Sequence, residues 1–208
     1  MYSEGGGRVA AVAFLPLPPL AAMVSSSHAT AVAGCYNGAV TLWDVTTTAP
    51  APTATGAAAA RKVGMAWVAS VRVSSHPVTC LDVGRLDAGT VVAAGASDGS
   101  LSLLRVGTGS SSDGGGGGGG GGSIDALEVA ERVTVAPATA PTVLRIDPVN
   151  KALLAADARG GVALYDLAAL THDPTYSATL EGGSGPHAFD ACFSSQSPFT
   201  VLVAAYVP

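Results

Sequence analysis

One short pattern recurs along this chain and constrains it more than any other feature. It is a pair of apolar strands joined by a glycine-bearing turn. Thr30 to Val45 reads TAVAGCYNGAVTLWDV, with Asn37-Gly38 between two apolar runs. Asn-Gly and Asp-Gly in that position are strong hairpin signals, because these residues tolerate φ > 0. The pattern returns at Val91 to Val106, VVAAGASDGSLSLLRV, with Asp98-Gly99 in the turn and Leu101 and Leu103 on one face. It returns again at Leu153 to Leu167, LLAADARGGVALYDL, with Gly160-Gly161 in the turn. The turn glycines Gly38, Gly99 and Gly161 lie 61 and 62 residues apart. A hairpin repeated at fixed spacing indicates a repeat architecture.

Each hairpin is flanked in the same way. An inner strand precedes it: Arg8 to Phe14, Val78 to Val83, and Thr142 to Ile146, the last ending at an Asp147-Pro148 turn. An outer strand follows: Trp67 to Val73, Leu127 to Val135, and Tyr176 to Leu180. For the second of these, a short helix over Ile124 to Arg132 is the alternative, since Leu, Glu and Ala favour helix. A fourth unit opens with Ala188 to Phe193 and Phe199 to Ala205, and its turn and third strand do not follow. Strands at this spacing without helices indicate an all-β fold. Two low-complexity tracts, Thr46 to Arg61 and Gly107 to Ser123, read as exposed loops, the second holding nine consecutive glycines. Removing them brings the period close to the ~40–45 residues of propeller repeats. The expected organisation is one domain over residues 1–208, interrupted by loops at 46–61 and 107–123.

Composition narrows the function classes. Apolar residues make up 48% of the chain and charged residues 12%, which excludes a charge-rich disordered polymer. Net charge is −5, and the ten Lys and Arg are scattered except for Arg61-Lys62, so no stripe could neutralise phosphates and no nucleic-acid partner is expected. Cys35, Cys80 and Cys192 lack CxxC spacing, so neither a disulfide framework nor a zinc site is indicated; each reads as a small buried hydrophobe. The apolar run Val9 to Val24 is short and broken by Pro16, Pro18 and Pro19, and no basic segment opens it. Membrane insertion and secretion are therefore not expected. The glycine run lacks the lysine of a phosphate loop. No G-x-S-x-G elbow accompanies the Ser, His and Asp present. His28, His76, His172 and His187 read as structural or surface residues, and the turn aspartates as acceptors of backbone N–H groups. Trp43 and Trp67 are either interface anchors or packing residues, and packing is the expectation. No catalytic, cofactor-binding or metal-ligating residue is assigned, and no small-molecule substrate.

The segments VAGCYNGAVTLWDV, VAAGASDGSLSLLRV and LAADARGGVALYDL, each after an inner strand, resemble blades of the WD-repeat β-propeller family. The WD dipeptide is Trp43-Asp44 in the first unit, Leu104-Arg105 in the second and Tyr165-Asp166 in the third. The family's Gly-His is reduced to Ser75-His76 and Pro186-His187. The resemblance implies a structural hydrogen-bonded set of histidine, hydroxyl, turn aspartate and tryptophan. No unit has all four, and the second keeps His76 and Asp98. More narrowly, Pro16-Leu17-Pro18-Pro19 followed by Leu42-Trp43 is similar to the opening of the small WD-repeat nucleoporin family of the Y-shaped nuclear pore scaffold. Phe14-Leu15 stand where that family usually has a tryptophan.

The resemblance implies a partial propeller: three four-stranded blades and the start of a fourth, open rather than closed. It implies a non-catalytic scaffold of the nuclear pore complex at the nuclear envelope, binding scaffold nucleoporins and serving nucleocytoplasmic transport. The alternative is a WD-repeat adaptor in another assembly, such as a ubiquitin ligase or chromatin complex. A propeller enzyme would need carboxylates or histidines on the inner strands, and VAAVAF, VTCLDV and TVLRI carry few.

Overall fold

The computed structural model describes residues 8–15, 26–48, 62–87, 89–108, 124–134, 139–167, 175–179, 187–193 and 201–206. The first sheet comprises β1 (Val9–Phe14), β2 (Ser26–Cys35), β3 (Ala39–Thr48) and β4 (Lys62–Arg72). The second comprises β5 (Val78–Leu86), β6 (Gly89–Ala96), β7 (Ser100–Thr108) and β8 (Ile124–Thr134). The third comprises β9 (Pro141–Asp147), β10 (Ala152–Asp157), β11 (Gly161–Asp166) and β12 (Tyr176–Thr179). The fourth has two described strands, β13 (His187–Phe193) and β14 (Val201–Tyr206). Within every sheet the strands lie in chain order, each antiparallel to its neighbour.

The helical alternative over 124–132 is not taken. β8 pairs with β7 from Ser100 opposite Thr134 to Thr108 opposite Ile124, so sheet pairing overrides local helix propensity. The two low-complexity tracts are shorter than expected. Thr46–Thr48 continue β3 and Gly107–Thr108 continue β7, while 49–61 and 109–123 lie outside the described residues. Thr48 is opposite Lys62, and Thr108 is opposite Ile124, so both tracts join strand ends that already face each other. Replacing 49–61 and 109–123 by short Gly/Ser turns is expected to change stability by less than ~1 kcal/mol, because closure entropy varies only with the logarithm of loop length. Urea midpoints of the shortened chain check this, and a larger loss would show that a tract contributes packing.

The three hairpin turns share one geometry. The amides of Gly38, Gly99 and Gly160 donate to the carbonyls of Cys35, Ala96 and Asp157 at 3.1, 3.0 and 3.2 Å. These glycines have φ of 79°, 84° and 79°. Each loop therefore has three residues, a tight turn followed by a left-handed glycine, rather than the two-residue turn that Asn-Gly suggests. Asn37 and Asp98 keep negative φ, and their side chains accept the amides of Ala39 (3.1 Å) and Ser100 (3.0 Å). In the third hairpin the left-handed residue is Gly160. Gly161 instead is confined by space, since a Cβ there would lie 2.6 Å from Asp157 Oδ2.

Strand alternation sends successive side chains to opposite faces, and where two sheets adjoin their facing sides pack together. Val32, Val40 and Leu42 of the first sheet meet Leu81, Val92, Ala94 and Leu104 of the second. Ala93, Leu101 and Leu103 of the second meet Leu144, Leu153, Ala155 and Tyr165 of the third. Val143, Leu154 and Val162 of the third meet Ala191 of the fourth. The second sheet thus packs on a neighbour through both faces of β5, β6 and β7, and β6 is buried from Val91 to Ala96. Packing runs from β1 to β5 to β9 to β13 along the inner strands. The array is an open, partial propeller of three four-stranded blades, with two described strands of a fourth.

Candidate protein-interaction surface

The interblade packing defines, for each blade, a face toward the blade before it. In the second blade that face presents Leu81, Val92, Ala94 and Leu104; in the third, Leu144, Leu153, Ala155 and Tyr165. The same register in the first blade holds Val12, Ala31, Ala33 and Trp43. Among the described residues no blade lies against them. Phe14 pairs with Ala31, Trp43 with Trp67, Val45 with Met65 and Thr47 with Val63, so these side chains share that face. Val12, Phe14, Val63, Met65 and Trp67 are each between 57% and 64% exposed. Large apolar residues gathered on one exposed face mark an interaction surface. Aromatic rings supply much contact area there at little entropic cost.

Two features order the face. The Trp43 indole N–H donates to the Thr41 hydroxyl at 2.9 Å, and that hydroxyl donates to the Ala33 carbonyl at 3.3 Å. Trp43 is therefore half-buried and fixed, consistent with the expected packing role. Trp67 is not packed. It stands on the outermost strand of the first blade, on a face that no other blade covers among the described residues, which sequence alternation could not reveal. At the rim, the Arg8 guanidinium sits 5.6 Å from the centre of the Tyr36 ring, a cation–π distance.

A second cluster fastens the first blade to the second. His76 and Asp98, noted in the sequence, come within 3.2 Å. Asp98 also accepts from the Ser74 hydroxyl at 2.8 Å and the Ser100 hydroxyl at 2.6 Å. Ser74 and His76 lie in the link between β4 and β5, so the β6–β7 turn clamps that link. The cluster is at the surface rather than enclosed. Partial burial pushes the Asp98 carboxyl up, but the Ser100 and Ser74 donors and His76 outweigh it and hold the pKa at about 2. The ordinary aspartate value is 3.8. The folded state thus releases this proton more readily than the unfolded one. Its stabilisation is complete above about pH 4 and is lost as pH falls toward 2. Melting temperature is expected to fall over that interval, and to fall less in Asp98→Asn; identical acid profiles would remove Asp98 from the account. In the third blade Arg159 occupies the Asp98 position. Asp157 takes over, accepting the Gly161 amide (2.8 Å) and the hydroxyl of Thr139 in the preceding link (2.6 Å).

The four inner strands converge on a small cavity of about 250 Å³. Polar struts also join the inner strands of adjacent blades. The Thr79 hydroxyl donates to the Pro141 carbonyl at 2.6 Å, the Ile146 amide donates to Asp82 at 2.6 Å, and Arg145 pairs with Asp190 at 2.8 Å. Burial pushes the Asp82 carboxyl above its ordinary value, against the Ile146 amide, which pulls it back. Burial pushes the Cys80 thiol up to about 12, so it stays protonated at neutral pH. Among the described residues no three His, Cys, Asp or Glu side chains come together as metal ligands, and no helix is long and apolar enough to cross a membrane.

The structure qualifies other expectations. Cys35 and Cys80 are buried, but Cys192 is exposed, since it lies on the side of β13 away from the third blade. The side chains of His28, His172 and His187 lie outside the described residues, as does the 16–19 bend.

No family model matches the chain, and no curated protein matches it. Solved structures do. Sqt1 of Chaetomium thermophilum, in a crystal structure with the N-terminus of ribosomal protein L10, is 16% identical with a TM-score of 0.61; the match covers 95% of this chain and 45% of that one. A chain of the mitotic checkpoint complex is 11% identical with a TM-score of 0.55; the match covers 84% of this chain and 40% of that one. Both neighbours are WD-repeat β-propellers, and this chain spans less than half the length of either. In fold, the chain is an open, partial WD-repeat β-propeller.

Proposed function

We propose that this chain is a non-catalytic protein-interaction scaffold that binds its partner through the exposed face of the first blade. The observation that carries this reading is the set Val12, Phe14, Val63, Met65 and Trp67. These residues occupy an interblade face, yet stand exposed to solvent. Both structural neighbours were solved with protein partners, which supports a protein ligand here too. Within this class we assign the chain to the Y-shaped scaffold of the nuclear pore, at the nuclear envelope, in nucleocytoplasmic transport. The support is the order of Pro16-Leu17-Pro18-Pro19 and Leu42-Trp43 in the sequence.

The test is affinity purification of the tagged chain from nuclear-envelope extract, beside a Phe14→Lys/Trp67→Lys variant. Scaffold nucleoporins are expected with the parent and are lost with the variant. Ubiquitin-ligase or chromatin subunits in their place would overturn the nuclear pore assignment and leave the scaffold reading. Equal recovery with both proteins would remove the first-blade face from the account.

A further inference from the structure

Asn37-Gly38 is the one Asn-Gly pair in the sequence, and the other asparagine, Asn150, precedes Lys151. Asparagine before glycine readily loses its side-chain nitrogen, because glycine carries no Cβ to keep its backbone nitrogen from the neighbouring carboxamide. In that reaction the Gly38 nitrogen gives up its proton and attacks the Asn37 side-chain carbon. The carboxamide C–N bond breaks, and ammonia leaves with the proton. Water then opens the five-membered imide at either of its two carbonyls. One product is aspartate. The other is isoaspartate, whose main chain runs through Cβ and is one carbon longer.

Asn37 is exposed at the tip of the β2–β3 turn, so water reaches it. The folded turn still restrains both reacting groups. The Gly38 amide, which must lose its proton to attack, donates to the Cys35 carbonyl at 3.1 Å. The Asn37 carboxamide is tied forward, its Oδ1 accepting the Ala39 amide at 3.1 Å. Conversion therefore requires the hairpin to open, and a folded hairpin opens only part of the time.

The second hairpin shows what each product does to the turn. Asp98 holds the position of Asn37 there. It accepts the Ser100 amide at 3.0 Å and precedes Gly99, whose φ of 84° matches the 79° of Gly38. An aspartate at position 37 thus fits. Isoaspartate inserts a backbone carbon immediately before Gly38, whose carbonyl accepts the amides of Val73 (2.9 Å) and Ser74 (3.2 Å). Gly38 also lies so close to the Ser74 and His76 carbonyls that not even a Cβ has room. A longer backbone there displaces Gly38 and frees the link between the first two blades.

We propose that Asn37 is a deamidation site guarded by the folded first hairpin, and that isoaspartate formed while the hairpin is open stops the turn from clamping the link to the second blade again. The site is a one-way switch whose only co-reactant is water. It is independent of the scaffold reading and of any partner.

The test incubates the whole chain in mildly alkaline buffer, native and in denaturing urea, and weighs its tryptic peptides. Asn37 falls in the peptide Val9 to Arg61 and Asn150 in Ile146 to Lys151, so the two are followed separately. Asn37 is expected to convert at least about tenfold faster in urea than in the native chain, and Asn150 to lag behind it in urea. Chains with isoaspartate at position 37, returned to native buffer, are expected to melt at a lower temperature than the parent. Asn37→Asp, expressed directly, should melt with the parent. Asn37→Ser, taken through the same urea cycle, should keep its melting temperature, since it suffers any damage elsewhere without the change at position 37. Equal conversion rates in native and unfolded chains would overturn the inference. So would an isoaspartyl chain that melts with the parent, or a loss as large in either variant as in the isoaspartyl chain.

Discussion

Gly38→Ala is expected to destabilise the chain by about 3–4 kcal/mol, a large loss for a domain of ordinary marginal stability. Two effects combine. The residue has φ of 79°, where a side chain carries strain of about 1–3 kcal/mol. A Cβ there would also overlap the Ser74 carbonyl oxygen and lie 2.7 Å from that of His76. These are backbone atoms of the link between the first two blades, already held by the Gly38 carbonyl, which accepts the amides of Val73 (2.9 Å) and Ser74 (3.2 Å). They cannot rotate away as a flexible side chain would. Gly89 separates the two effects, because its φ is 121° but nothing lies within 4 Å of the added Cβ. Gly89→Ala should therefore cost only the strain, about 1–2 kcal/mol. Denaturant midpoints at constant m measure both. Equal losses would mean that the link yields and that the turn does not clamp it.

Leu104→Ala is expected to cost about 2–5 kcal/mol, since Leu104 is fully buried between the first and second blades and its removal leaves a cavity. Phe14→Ala removes a larger apolar group at an exposed position and should change stability by about 0.5 kcal/mol or less. The contrast follows from blade order alone, because both positions belong to faces directed at the preceding blade. Leu104 has such a neighbour, and among the described residues Phe14 does not. A loss for Phe14→Ala close to that for Leu104→Ala would show that the first-blade face is covered in solution.

The repeat was legible because it rests on turn chemistry. Gly38, Gly99 and an inner strand before each hairpin mark the blades in the sequence itself. In the third turn Gly160 takes the left-handed conformation and Gly161 the crowded position. Gly160, 61 residues after Gly99, completes an even spacing, but adjacent glycines leave no local signal for which one is left-handed. β4 begins at Lys62, earlier than expected, because Gly64 and the exposed Val63 and Met65 do not resemble a half-buried strand. β8 was ambiguous for a related reason, its Leu, Glu and Ala being good helix formers, and only pairing along β7 decided it. The candidate surface was not legible. Val12, Phe14 and Trp67 alternate as core residues do, and their exposure appears only once the described blades are set side by side. Asp82 likewise reads as a strand polar residue, and its role as a strut to Ile146 appears only when the second and third blades are set together.

The most direct measurement is the solvent access of Trp67. The chain has two tryptophans, so Trp43→Phe leaves Trp67 as the single indole emitter. At dilute concentration its emission is expected at long wavelength, with acrylamide quenching close to that of a free indole derivative. Addition of a partner that docks on the first blade should shift the emission to the blue and suppress quenching. Short-wavelength, quencher-resistant emission from the isolated chain would show that another surface already covers this face. That result would contradict both the open array and the interaction surface built on it.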